Sequence, residues 1–168
     1  MTTQRSGDAA NRRAPGLPVE PRFPSEAALE SAMRRGLELA QRGPAHDANP
    51  RVGSVILDAT GRTVAEGWHR GVGTRHAETD ALAQLGEADR ARAGELTAVV
   101  TLEPCNHTGH TGPCALALIE AGIGHVVYAM PDPGKAEGGG AERLRAAGVH
   151  LRSGVLAAEA RALLRDWL

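Results

Sequence analysis

The stretch TLEPCNHTGHTGPC, Thr101 to Cys114, holds both cysteines of a 168-residue chain, with His107 and His110 between them. Thiols gathered this way suit a disulfide, a metal site or catalysis. In a chain with no mark of secretion, a pair beside histidines reads as metal-binding or catalytic. A second stretch, RHAETDAL, Arg75 to Leu82, supplies His76 and, two residues on, Glu78. His76, Cys105 and Cys114 form a candidate ligand set for Zn2+, which takes imidazole nitrogen and thiolate sulfur. Three protein ligands with a fourth position left to water is the open arrangement of a catalytic site. Water beside such a metal becomes reactive at neutral pH. Glu78 then has work to do: a carboxylate there can take the water's proton and deliver it to a ring nitrogen and a leaving amine. A closed structural zinc site, with His107 or His110 as fourth ligand, uses the same Cys and His but has no need of Glu78.

These residues need elements to hold them. Ser25 is a good N-cap, and Leu29, Met33, Leu37 and Ala40 follow at helical spacing until Gly43-Pro44. Val52–Leu57 and Thr63–Trp68 flank DATG, a hairpin pattern. A helix is predicted from near His76 through Leu85, and a buried strand over Leu96–Leu102. Pro113 suits the first turn of a helix running to Glu120, ended by Gly122. His125–Met130 reads as another buried strand, GGGAERLRAAG as a glycine-rich loop and helix, VHL as a short strand, and Leu156–Leu168 as a final helix. The order α-β-β-α-β-α-β-α-β-α implies an α/β fold. Its sheet is largely parallel, covered by helices on both faces, with the hairpin as its antiparallel part. Ligands in such sheets gather beyond the carboxyl ends of strands, where Glu103-Pro104-Cys105 falls. His76 and Cys114 each fall in a first helical turn, where the dipole favours a thiolate.

Composition narrows the function classes. The length suits one domain with a full core. Net charge is −1 and aromatic content 2%, so neither an electrostatic footprint nor stacking rings for nucleic acid are present, which argues against nucleic-acid editing. No apolar run reaches a membrane span and no secretory h-region appears, so a cytoplasmic protein without membrane or nucleic-acid partners is expected. Met1–Pro24, rich in Pro and Arg, reads as a disordered tail, leaving 25–168 as the one folded domain that carries the candidate zinc site. Gly138–Gly140 precede a helix and suit either a flexible loop or a phosphate cradle, with Lys135, the one lysine, nearby. His46, His125 and His150 are assigned no role.

His-x-Glu with a downstream Pro-Cys-x-x-Cys is the pattern of zinc deaminases that act on nucleobases. Here eight residues separate the cysteines. With that longer loop, HAETDAL, VTLEPCNHTGHTGPC, NPRVGSVI, GWHRGVGTRHAE and Asp132-Pro133 together resemble the deaminase domain of the bifunctional riboflavin-biosynthesis deaminase/reductase, over residues 26 to 168 and in the same order. The resemblance implies a three-layer α-β-α cytidine-deaminase-like fold with a five-stranded mixed sheet, zinc on His76, Cys105 and Cys114, and Glu78 as proton shuttle. It implies substrate contacts from Asn49, His69, His107, His110 and Asp132. It also implies a homo-oligomer, and a separate reductase if the chain works in that pathway, because the chain ends where the family's reductase domain begins. The small-molecule substrate so implied is a diaminopyrimidinone ribosyl phosphate; the alternative is another small amino-heterocycle, such as a nucleoside, nucleobase or specialised metabolite. Ala48 and Gly112 stand where the family usually has Pro, His110 where it has Arg or Lys, and Gly134 where it has Asn. The last two predict a weaker hold on the family substrate, or a move to one lacking the matching polar groups.

Overall fold

A computed structural model of the chain describes residues 22–108, 112–134 and 138–168. His110, Lys135 and residues 1–21 of the expected tail lie outside them. Ser25 caps α1 (Glu26–Ala40), its hydroxyl accepting the Ala28 N–H at 3.2 Å. The hairpin β1 (Gly53–Leu57) and β2 (Thr63–Trp68) follows, then α2 (Ala77–Gln84), a short α3 (Glu87–Arg90), β3 (Thr97–Val100), α4 (Cys114–Glu120), β4 (His125–Tyr128), α5 (Gly140–Ala146), β5 (His150–Ser153) and α6 (Ala157–Leu163).

The five strands form one sheet in the order β2-β1-β3-β4-β5. β1 pairs antiparallel with β2 and also with β3, whereas β3, β4 and β5 run parallel. The sheet is therefore half antiparallel rather than largely parallel. The segment β2-α2-β3 crosses over β1, so β1 runs against both of its neighbours.

Period-two alternation divides the strand side chains into two cores. Ile56, Ala98, Val100, Val126 and Tyr128 pack beneath α2, α4 and α5 with Ala81, Leu82, Leu118 and Leu144. Val55, Leu57, Val99 and Val127 face the other way, onto Leu29, Met33 and Leu37 of α1 and Ala160 of α6. Both faces are covered, which is why the central strands read as unbroken apolar runs. The tail boundary shifts slightly: Pro24 is buried, and Phe23, the one phenylalanine, packs on the second core and meets the His125 ring edge-on at 5.1 Å.

Several boundaries differ from expectation by local causes. β3 stops at Val100 because the chain, after one more exchange between Thr101 and Gly53, turns at Glu103 to bond the Met130 carbonyl. α6 stops at Leu163, and Trp167 lies over the 44–51 loop, donating to the Ala48 carbonyl at 3.3 Å. α2 sits close on β2 because residue 67 is glycine: a Cβ there would fall 2.3 Å from the Ala81 nitrogen.

The hairpin turn is wired by Asp58. One carboxylate oxygen accepts from the Thr60 hydroxyl (2.6 Å), the Thr60 N–H and the Arg62 N–H, and the other accepts from the Arg62 guanidinium at 3.0 Å. Led by the Thr60 hydroxyl, these bonds lower the Asp58 pKa from 3.8 to about 2. A depressed carboxylate pKa stabilises the fold above its unfolded value, and that contribution fades as pH falls through the folded value. Asp58→Asn is therefore expected to lower the urea midpoint at pH 7. The gap to wild type should close as pH drops from about 4 to about 2, measured by denaturation at a series of pH values.

Candidate active site

Strand direction gathers the site. Because β1 is antiparallel to β2 and β3, the start of β1, the end of β2 and the ends of β3 and β4 share one edge of the sheet. Asn49 precedes β1, His69 follows β2, Cys105 follows β3 and Asp132 follows β4. Two helices begin at the same edge. His76 is the N-cap of α2 rather than a first-turn residue, and Cys114 is the first residue of α4, with Pro113 as its cap.

His76, Cys105 and Cys114 come together with their donor atoms all within 4.8 Å of one another. His76 Nδ1 lies 3.6 Å from the Cys105 sulfur and 3.4 Å from that of Cys114. Tetrahedral zinc, with bonds of about 2.1 Å to nitrogen and 2.3 Å to sulfur, needs a nitrogen–sulfur separation of about 3.6 Å. The donor set and its spacing therefore fit zinc. Neither cysteine is in a disulfide. Among the described residues this group holds three donors, and His107 is not part of it.

The electrostatics match the crowding. The Cys105 thiol is lowered to about 4, first by the hydrogen bond from Cys114 and then by His76. The Cys114 backbone N–H also points at that sulfur, at 3.4 Å. Cys114 is pushed well up by its bond to Cys105 and by burial. His76 is raised, chiefly by its bond to Cys105. Glu78, only 4% exposed, is pushed up to about 7 by burial, and next by the charge on Cys105.

Asn49, His69, His76, Glu78, Cys105, His107 and Asp132 line a single cleft of about 440 Å³, counting the part open to solvent. Buried His69 has its Nδ1 3.2 Å from the Arg75 carbonyl, which can only accept, so Nδ1 carries the proton. Its Nε2 then accepts from the Asn49 amide nitrogen at 3.3 Å, which turns the Asn49 oxygen away from His69. Nδ1 of His107 is buried with no hydrogen-bond partner among the described residues, as a group awaiting a ligand would be. Asp132 binds the Gly134 N–H at 2.8 Å, so the loop where Gly134 stands keeps a polar tie of its own. Gly138–Gly140 lead into α5 and are absent from the cleft lining.

Two carboxylates passed over in the sequence hold this framework. Asp80 accepts the Trp68 N–H at 3.2 Å and pairs with Arg70 at 2.7 Å, tying α2 to the end of β2. Glu103 accepts backbone N–H groups from Asp132 and Ala141. The signal available was an acidic residue closing an apolar strand, and a second acid on the buried face of α2.

The profile of the cytidine and deoxycytidylate deaminase zinc-binding region matches residues 26–130. The chain is 52% identical over 120 residues to the riboflavin biosynthesis protein RibD of Mycobacterium tuberculosis (strain ATCC 25618 / H37Rv), covering 71% of this chain and 34% of that one. It is 44% identical over 131 residues to the diaminohydroxyphosphoribosylamino-pyrimidine deaminase of Buchnera aphidicola subsp. Acyrthosiphon pisum, covering 77% of this chain and 86% of the relative. Among solved structures, a diaminohydroxyphosphoribosylaminopyrimidine deaminase/5-amino-6-(5-phosphoribosylamino)uracil reductase from Thermotoga maritima superposes with a TM-score of 0.74 at 38% identity, over 82% of this chain and 39% of that one. The chain thus spans about a third of the length of the RibD relatives it matches.

Proposed function

The chain belongs to the cytidine and deoxycytidylate deaminase family, and from that membership we propose that it releases ammonia by hydrolysis from diaminohydroxyphosphoribosylaminopyrimidine. The observation that carries this reading is Glu78: a buried carboxylate on the cleft wall, two residues after His76 and beside the His-Cys-Cys group.

His76, Cys105 and Cys114 would hold the zinc. The metal, when bound, supplies Lewis-acid activation of a water at neutral pH. Glu78 takes one proton from the attacking water and passes it to a ring nitrogen, then takes the second from the hydroxyl so formed and passes it to the departing amine, so that the carbon–nitrogen bond breaks, a carbonyl forms, water is consumed and ammonia leaves. Burial raises the Glu78 pKa above the usual carboxylate range, the direction that suits a shuttle, which works best with a pKa near the operating pH. His69 orients Asn49, whose amide oxygen is free to accept from the substrate's N–H groups. His107 and Asp132 supply further polar contacts on the cleft wall, and His110 belongs to the same proposed contact set.

The Buchnera relative supports the substrate, since this chain aligns with most of it and it is named as the deaminase alone. Gly134, with no side chain where the resembling family has Asn, favours the second reading of another small amino-heterocycle. The Thermotoga name couples a deaminase with a reductase, so a reductase acting on the product is the proposed downstream partner. Among the described residues no helix is long and apolar enough to cross a membrane. A cytoplasmic homo-oligomer without nucleic-acid contacts completes the proposal.

Purified protein is expected to carry one zinc per chain by elemental analysis. Cys105→Ser and Cys114→Ser should each lower zinc content and melting temperature together, because metal binding contributes to folding. Zinc-free protein with both thiols open to titration would end this assignment. Glu78→Gln keeps the shape but cannot accept the proton, so turnover should fall about 10²–10⁴-fold with zinc retained; a variant keeping a tenth of the wild-type rate rules Glu78 out as shuttle. An ammonia-release panel should give the highest kcat/KM for the diaminopyrimidinone ribosyl phosphate. A clear preference for an aminopurine, nucleoside or free base instead would establish the second reading.

A further inference from the structure

We propose that Glu103 is a positioning residue for substrate binding: its carboxylate locks the Asp132 loop and the start of α5 to the turn that carries Cys105. Glu103 opens the turn after β3 and is 9% exposed. Its backbone N–H donates to the Met130 carbonyl at 2.9 Å, which aligns the ends of β3 and β4. One carboxylate oxygen accepts the Asp132 N–H at 3.3 Å, and the other accepts the Ala141 N–H at 2.9 Å. Two separate segments, 130–132 and the start of α5, therefore meet on one residue, two positions before a thiol of the metal group.

The neighbouring backbone leaves little slack. A Cβ on Gly140 would fall 1.7 Å from the Pro104 carbonyl oxygen, so α5 begins in direct contact with the same turn. On the far side, the Ala115 N–H donates to the Cys105 carbonyl at 3.1 Å, fastening the turn to α4. Asp132 lines the cleft and spends one carboxylate oxygen on the Gly134 N–H at 2.8 Å. Its position relative to the His-Cys-Cys group is thus set through the backbone that Glu103 grips. Glu103 also lines the cleft, but both of its carboxylate oxygens are taken up by backbone N–H groups, so the proton transfers belong to Glu78.

The chemistry of the two bonds makes the inference specific. Both partners are N–H donors, so both Glu103 oxygens must act as acceptors. An amide of the same shape has one acceptor and one donor, and must turn its NH2 toward one of the two N–H groups. Glu103→Gln therefore breaks one tie while leaving volume and packing unchanged.

The inference rests on the deaminase reading, and its test separates the two. Glu103→Gln should retain zinc and raise KM for the preferred substrate about 10- to 100-fold, with kcat held within about threefold. Asp132→Ala should also raise KM. The double variant should be no worse than Asp132→Ala alone, because Glu103 acts through Asp132. Amide hydrogen exchange over residues 130–134 should accelerate in Glu103→Gln. Additive KM effects, unchanged exchange, or a loss of kcat at constant KM would each overturn the proposal. If the Gln variant does not fold, Glu103→Asp, which keeps two acceptors on a shorter arm, carries the same cycle with the same outcomes. If wild-type protein releases ammonia from no substrate in the panel, the deaminase reading falls, and the exchange rates alone still decide whether Glu103 holds the Asp132 loop.

Discussion

Two thiols and an imidazole lie within 4.8 Å of one another at the edge of the sheet, in surroundings that leave Cys114 fully buried. Negative charge placed there must be shared or compensated. The Cys105 sulfur accepts from the Cys114 amide and faces His76, while Glu78, next to the same charge, is driven toward its neutral form. A divalent cation answers all of these demands at once. The need to concentrate donors at one point governs where α2 and α4 must start and how far β3 can run.

The helix starts are set by backbone contacts. Gly67 lets α2 approach β2, and Asp80 anchors the connection by its bonds to the Trp68 amide and to Arg70. Arg70 in turn lies over the Trp68 ring at 4.0 Å. On the other side of the cleft, Glu103 and Gly140 do for the β4 and α5 loops what Gly67 and Asp80 do for α2. Both walls of the cleft therefore combine a glycine that permits close approach with a carboxylate that satisfies backbone donors.

Preorganisation follows from that pattern. The tautomer of His69 is dictated by the Arg75 carbonyl, and the orientation of Asn49 by His69. A cleft whose polar groups are fixed before substrate arrives loses less entropy on binding and can hold reacting atoms in register. The groups with open hydrogen-bonding capacity, such as Nδ1 of His107, are those left to a ligand.

The sequence by itself determined the donor types and, apart from the short α3, the order of the elements. His-x-Glu, the Pro-Cys turn and the second cysteine are local patterns, and local patterns survive into any fold that keeps their helix starts. It also determined that the central strands would be covered on both faces, because their apolar runs are unbroken. Only the tertiary structure decided that β1 runs against β3, which brings Asn49 to the same edge as Cys105 although more than fifty residues separate them. Strand pairing depends on contacts remote in sequence, and alternation of side chains is identical in both directions, so nothing in the chain's periodicity reports it. The same holds for Glu103 and Asp80. A carboxylate's role depends on which backbone N–H groups surround it, and those donors come from segments that only folding brings within hydrogen-bond reach.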